Sequence, residues 1–151
     1  MKTIHLIVVG KNKDTLLCNW EKDYQKRLSS IKINIHELKH LDSKQKNDQQ
    51  VIQKIKHLAG KSKPIVVLLD ERGKDYDSKE FSKYIFNELE NNAAIYFVIG
   101  GAEGHGQDML SFTKKRLRLS TFTMTHRLAR TIFIEQLYRA ETLHLNHPYH
   151  K

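Results

Sequence analysis

The strongest constraint on the fold is the alternation of short apolar runs with longer segments that place apolar side chains at helical spacing. Residues 65–69 and 94–99 are apolar without interruption, which is typical of strands buried on both faces of a parallel sheet. Residues 3–9 form a similar run that ends at Gly10. Strands that alternate with helices predict an α/β fold with a mainly parallel sheet and helices on both faces.

Local signals predict where the remaining elements lie. A first helix spans residues 16–28 with Asp14 or Thr15 as its cap, and a second strand is centred on Ile33. Asp77 and Glu80 form a capping-box pattern before a helix over residues 81–89. The other expected segments are a polar loop over 39–50, a helix over 51–58, a charged turn over 70–77, a short helix over 108–115, a strand over 119–124 and a long helix over 126–144.

The length of 151 residues is that of a single domain. At this size, folding removes about 68–70% of the accessible surface of the unfolded chain, which is enough for one core. No internal repeat, linker or low-complexity segment divides the sequence. We therefore expect one domain over residues 1–151.

The balance of charge indicates a polyanionic partner. Lys and Arg number 26 against 17 Asp and Glu, which gives a formal net charge of +9. Charge on this scale is informative about partners rather than about fold. Nucleic acid fits better than membrane, because no apolar run approaches the roughly 20 residues that span a bilayer.

Cysteine usage and the N-terminal segment both predict a cytoplasmic protein. The single cysteine, Cys18, cannot form an internal disulfide, which agrees with a reducing compartment. The apolar run that starts after Lys2 is too short, and wrongly flanked, to be a signal peptide.

Two segments of unusual composition follow the third and fourth predicted strands, where α/β sheets bind their ligands. They are the charged residues 70–74 and the glycine-rich residues 100–106. The glycine cluster matches neither the dinucleotide fingerprint nor the phosphate loop, so a standard dinucleotide or triphosphate site is disfavoured. Paired glycines fit either a tight turn or a close approach of backbone to a ligand, and the pattern alone leaves both open.

A basic run near the C-terminal third suits contacts with phosphates. Lys114, Lys115, Arg116 and Arg118 place four cations within five positions. Such a run would make binding fall with salt. The alternative is a solvated helix end, and the sequence does not decide between them.

The tail carries three histidines, His144, His147 and His150, around Pro148 and Tyr149. A zinc site is the first hypothesis for such a set. We predict no metal, because the proline interrupts the helix and the last ten positions hold no cysteine or acidic residue. The alternative is an ordered tail that supplies a histidine and a tyrosine to an active site.

Several of these motifs occur together in one known family. They are Gly10-Lys11, Leu69-Asp70 with Gly73-Lys74, residues 99–104, residues 135–140 and Tyr149-His150-Lys151. In order and spacing, from residue 1 to residue 151, the chain resembles the RlmH type of SPOUT-class methyltransferase. The match is specific as a set, although each motif alone is weak.

The resemblance implies a fold, an activity and partners. It implies a deep trefoil knot in the C-terminal half and a homodimer with active sites at its interface. The implied reaction is S-adenosylmethionine-dependent methylation of N3 of a pseudouridine in 23S ribosomal RNA of the large subunit, free or in the assembled ribosome. The alternatives are a SPOUT methyltransferase that acts on transfer RNA and a non-catalytic ribosome-binding factor.

The resemblance also assigns residues to the cofactor pocket. These are Leu69, Gly101, Ser120, Thr121, Phe122, Thr123, Met124 and Thr125. Relatives typically carry a proline in place of Thr125 and a leucine in place of His105. The first departure changes the loop before the last helix, and we expect the second to change only a wall of the pocket.

Four residues are candidates for the chemistry. We expect His150 to accept the N3 proton or to position the base, because a neutral imidazole titrates near cellular pH. Tyr149 would stack on, or hydrogen-bond to, the flipped base. His126 and Arg130 lie one turn apart at the start of the last helix, where they could hold a base carbonyl or an RNA phosphate. Helix capping and dimer contact are the alternative for that pair.

Overall fold

The computed structural model describes every residue from Met1 to Lys151 and contains one five-stranded sheet. The strands are β1 Lys2–Val9, β2 Ile31–Leu38, β3 Ile65–Asp75, β4 Ala94–Ile99 and β5 Arg116–Arg118. Their order across the sheet is β2-β1-β4-β3-β5, and every neighbouring pair is parallel. The predicted parallel sheet is therefore confirmed.

Five helices cover both faces of this sheet, as predicted. They are α1 Thr15–Arg27, α2 Lys44–Ala59, α3 Ser78–Asn91, α4 Gln107–Phe112 and α5 His126–His144. Helices α1, α3 and α5 pack on one face around Phe97 and Phe133, while α2 and α4 pack on the other around Ile55 and Met109. None of the helices combines the length and the apolarity needed to cross a bilayer. The trefoil knot stays a prediction.

The helix caps follow the sequence signals. The Asp14 carboxylate accepts hydrogen bonds from the amides of Leu16 and Leu17 at the start of α1. Asp77 and Glu80 form the predicted capping box, in which each side chain accepts from the other's amide. Such caps satisfy amides that a helix leaves unpaired in its first turn.

The predicted start of the second helix is wrong. Helix α2 begins at Lys44, inside the segment 39–50 predicted as a loop. The Ser43 hydroxyl caps it by accepting from the Lys46 amide at 3.1 Å. The first turns carry mostly polar side chains, so the apolar period that marks a helix in sequence appears only from residue 51.

The predicted boundaries around the last strand are also wrong. The charged turn predicted over 70–77 belongs largely to β3, which runs to Asp75, and the short helix ends at Phe112. The last strand lies at residues 116–118, not at 119–124. Only Leu117 of this strand is buried, so the sequence contains no apolar run that would predict a strand here.

Strand β3 crosses β5 in very close contact at Gly73. The pairing of β3 with β5 shifts between Leu69 and Lys74, so the chain bulges and then pairs again. A Cβ at Gly73 would lie 2.5 Å from the carbonyl carbon of Leu117 and 2.6 Å from its nitrogen. Only glycine lets the two backbones approach this closely.

Candidate active site

A cavity of about 1330 Å³ opens where β3 bulges and where β4 and β5 end. Its walls come from three chain segments, from the first turn of α5 and from residues at the start of α1 and α2. The segments are residues 69–72 of β3, residues 99–105 after β4, and residues 118–120 with 122–125 after β5. This is the edge at which the sequence predicted a ligand.

Most of the predicted cofactor residues line this cavity. They are Leu69, Gly101, Ser120, Phe122, Thr123, Met124 and Thr125. Thr121 is exposed and does not line it. The structure thus brings together three separate parts of the chain, although the strand predicted over 119–124 is a loop.

The glycine-rich segment is a tight turn that also forms a wall of the cavity. The Gly104 amide donates to the Gly101 carbonyl at 2.9 Å, and Gly104 has φ +78°. The turn ends at Gly106, whose amide donates to the buried Asp48 carboxylate of α2 at 3.0 Å. The tight turn is therefore confirmed, whereas the approach of this backbone to a ligand stays a prediction.

Two residues that depart from the pattern implied by the sequence resemblance also line the cavity. The Nε2 atom of His105 lies 2.8 Å from the Leu69 carbonyl oxygen. The Thr125 hydroxyl accepts from the Leu128 amide at 3.3 Å and so caps α5. A threonine cap thus starts the helix where relatives typically carry a proline.

The first residue of α5 brings an imidazole to the cavity. His126 lines the cavity, is half-buried and makes no side-chain hydrogen bond within the chain. Its ring is therefore free to bind a substrate or to accept a proton.

Arg130 lies one turn further along α5 but outside the cavity. It is 6% exposed, and its guanidinium lies 2.9 Å from Glu21 and 2.6 Å from Glu37. Burial disfavours the Glu37 carboxylate, but hydrogen bonds from the Asn12 amide and Arg130 outweigh it and lower the pKa of Glu37. Arg130 is therefore ion-paired with these two carboxylates, and it links α5 to α1 and β2.

The tail folds back onto α5 of its own chain. The Tyr149 hydroxyl donates to Glu135 at 3.1 Å, and the Arg139 guanidinium lies 4.9 Å from the centre of the Tyr149 ring. Arg139 also contacts Nδ1 of His150 at 3.1 Å. Burial raises the pKa of Tyr149, and Tyr24 and Glu135 act in the same direction, so its hydroxyl stays a donor.

Glu135 and Arg139 are the residues that sequence reasoning missed as part of the site. They lie 2.9 Å apart on one face of α5 and together hold both side chains of the tail. Their spacing of four residues, within the motif quoted at residues 135–140, is the available signal.

Within a single chain, the C-terminal tail does not reach the cavity. Neither Tyr149 nor His150 lines the cavity. His126 and Arg139 are separated by 139 − 126 = 13 positions of one helix, or about 20 Å at 1.5 Å per residue. The predicted catalytic residues therefore fall into two groups at different places on α5.

The basic run does not form a uniform surface. Lys114 and Lys115 are exposed, and Lys115 lies 3.8 Å from Glu88. Arg118 lines the cavity and donates from Nε to Asp75 at 2.7 Å. Arg116 is half-buried, and its Nε atom is buried without a hydrogen-bond partner.

The tail histidines do not converge. The His144 ring stacks on Phe86 at 3.8 Å, His147 is exposed, and His150 contacts Arg139. No group of three or more His, Cys, Asp or Glu side chains is arranged to hold a metal ion.

A parallel α/β fold with a glycine turn and a large cavity beyond its strand ends is typical of proteins that bind a small ligand at this edge. Over residues 1–150 the chain matches the family described as "Predicted SPOUT methyltransferase". It therefore belongs to that family, and the family resemblance drawn from the sequence is confirmed.

Curated relatives match over nearly the full length. Three of them have the name "Ribosomal RNA large subunit methyltransferase H". The protein from Clostridium botulinum (strain Hall) is 38% identical, with 98% of this chain and 99% of the relative covered. The protein from Porphyromonas gingivalis is 36% identical, with 97% of this chain and 98% of the relative covered. The protein from Xylella fastidiosa is 34% identical, with 97% of this chain and 96% of the relative covered.

Proposed function

We propose that this protein transfers a methyl group from S-adenosylmethionine to N3 of a pseudouridine in 23S ribosomal RNA of the large subunit. The observation that carries the proposal is the cavity, which is lined by the segments expected to bind the cofactor in a SPOUT family member. The names of the relatives supply the substrate class.

The lining of the cavity fits the proposed cofactor. Leu69, Phe122 and Met124 offer apolar surface, and Ser120 and Thr123 add hydroxyl groups. Carboxylates that also line the cavity suit the sulfonium and ammonium charges; they are Asp14, Asp70, Glu71 and Glu103. When bound, the cofactor supplies an electrophilic methyl group, and the protein has to align the nucleophile and remove its proton.

The contact between Arg139 and His150 favours one of the two roles left open for the histidine. A guanidinium only donates hydrogen bonds, so Nδ1 of His150 accepts and the proton of the neutral ring lies on Nε2. His150 therefore presents an N–H donor that can hold a base carbonyl. The N3 proton is then accepted by His126, whose ring lines the cavity and is unpaired.

The separation of tail and cavity supports a homodimer. In it, the tail of one protomer completes the cavity of its partner. Large apolar side chains that line this cavity are exposed in the single chain; they are Leu16 at 76%, Trp20 at 64%, Phe122 at 84% and Leu128 at 46%. A second copy that covers them would bury apolar surface and deliver the tail.

The proposed partner is ribosomal RNA in the cytoplasm, free or within the ribosome. The net charge of +9 favours association with RNA. Lys114 and Lys115 remain proposed phosphate contacts because both are exposed. Arg116 and Arg118 are proposed to act closer to the cavity, where they can hold phosphates beside the target base.

A methyl-transfer assay tests this proposal directly. The purified protein is incubated with S-adenosylmethionine carrying a tritiated methyl group and, separately, with assembled ribosomes, large subunits, free 23S RNA and transfer RNA. Mass spectrometry of RNA fragments then locates the methyl group. Incorporation at a pseudouridine of 23S RNA is expected. Transfer RNA as the preferred acceptor, or no transfer to any RNA, would contradict the proposal.

A further inference from the structure

His105 connects two walls of the cavity by one hydrogen bond. Its Nε2 atom lies 2.8 Å from the Leu69 carbonyl oxygen. Because a carbonyl oxygen only accepts, the imidazole donates. Both residues line the cavity, so the bond fixes the distance between two of its walls: residues 69–72, the β3 wall, and residues 99–105, the glycine-rich wall.

The β3 wall is least constrained by the sheet at this point. Leu69 is the last residue of β3 in register with β4. Its pairing with β5 also breaks here, and the register shifts before Lys74. The hydrogen bond from the His105 side chain therefore holds the backbone at Leu69, where the pairing between strands is interrupted.

The glycine-rich wall is fixed independently at its far end. Asp48 of α2 is 4% exposed and accepts from the amides of Gly106 at 3.0 Å and Met109 at 3.1 Å. A Cβ at Gly106 would collide with the Asp48 carboxylate. This clamp ties the wall to α2 and leaves His105 as its side-chain link to β3.

We propose that His105 is a positioning residue that holds the two walls at the separation S-adenosylmethionine requires. The inference rests on the proposed cofactor and deepens it. Relatives typically carry leucine here, and leucine fills similar space but cannot donate a hydrogen bond.

Two substitutions separate the hydrogen bond from the packing of the side chain. His105→Leu introduces the residue typical of relatives and removes the donor, whereas His105→Gln keeps an N–H near the position of Nε2. Calorimetric titration with S-adenosylmethionine should give a Kd about three- to tenfold higher for His105→Leu, the value of one net hydrogen bond. The Kd of His105→Gln should stay within about twofold of the unmodified protein.

Hydrogen exchange gives a readout that needs no cofactor. Without ligand, His105→Leu should speed amide exchange within residues 101–106, with little change in the thermal midpoint. Asp48→Asn is the matched control, because it disrupts a buried cap and should lower the thermal midpoint as well.

The outcomes distinguish the two proposals. If the unmodified protein binds no S-adenosylmethionine, the cofactor assignment fails and the role of His105 fails with it. If the unmodified protein binds and His105→Leu binds equally well with unchanged exchange, only the role of His105 is overturned. A higher Kd that glutamine does not restore would also overturn it, because packing rather than donation would then be the cause.

Discussion

The tail side chains show how a contact can define the chemistry of a residue. Arg139 donates to Nδ1 of His150, so the N–H of the neutral ring lies on Nε2, as the proposed donor role requires. Glu135 instead accepts a hydrogen bond from the Tyr149 hydroxyl. The sequence identifies the tail residues as unusual, but their partners lie on α5 and only the folded chain brings them into contact.

Substitutions at His150 test the donor role. His150→Ala should reduce methyl transfer by roughly tenfold, while His150→Gln should keep most of the rate because it retains an N–H near Nε2. If His150 instead takes the proton, both variants should lose about 10² to 10⁴ in rate. Single-turnover rates on ribosomal particles, with cofactor titration as the control, distinguish the two results.

A pair of histidines makes stability depend on pH. His5 and His36 lie 3.0 Å apart between ring nitrogens, and His5 stacks on Tyr96. Burial lowers the pKa of both, and Lys54 acts in the same direction; His5 further lowers the pKa of His36. The folded state therefore disfavours their protonation.

The sign of the pH dependence follows from linkage. The contribution of this pair is fully present above the unfolded pKa of about 6.5 and is lost as the pH falls through the lower folded values. The free energy of unfolding, measured in urea, should thus decrease from pH 8 to pH 5. The double variant His5→Gln, His36→Gln should show a shallower decrease, and an equally steep one would contradict this account.

At the scale of elements, sequence patterns predict buried strands and capped helix starts, and they miss helix turns and strands whose side chains are mostly exposed or polar. The central strands and the caps at Asp14 and Asp77 were predicted because apolar runs and capping residues carry direct signals. The start of α2 at Lys44 was missed because its first turns are polar. Strand β5 was misplaced because its pairing depends on β3 rather than on its own three residues.

The crossing of β3 and β5 should tolerate no side chain at Gly73. In Gly73→Ala, the new Cβ would lie 2.5 Å from the Leu117 backbone, well inside van der Waals contact, so one strand has to move. We expect a loss of about 1–3 kcal/mol or more in the free energy of unfolding and weaker cofactor binding. Gly60→Ala is the control: a Cβ there meets no atom within 4 Å, so its loss should be limited to the strain of a side chain at φ +60° and should be smaller than that of Gly73→Ala. Equal losses in urea unfolding would contradict the steric account.

At the scale of the whole molecule, the proposed site is complete only if two chains combine. The cavity lies at the start of α5, and the tail lies about 20 Å along the same helix. The sequence carries the family pattern of both parts. The sequence patterns do not indicate the distance between cavity and tail, because that distance is set by the length of the folded helix α5.

Mixing two inactive variants tests this composite site most directly. One variant lacks Tyr149, His150 and Lys151 but keeps the cavity. The other, Thr123→Arg, keeps the tail but places a cation in the lining of the cavity, where it repels a cationic cofactor. Each alone should be unable to methylate 23S RNA, and light scattering should show that each still forms dimers.

After the two variants are mixed and allowed to exchange subunits, the account predicts recovery of about a quarter of the unmodified activity, since half of the dimers are mixed and each contains one complete site. Methyl transfer to a pseudouridine of 23S RNA is the measured quantity. No recovery despite proven exchange, or full activity of the tail-truncated variant alone, would contradict a site built from the cavity of one protomer and the tail of its partner.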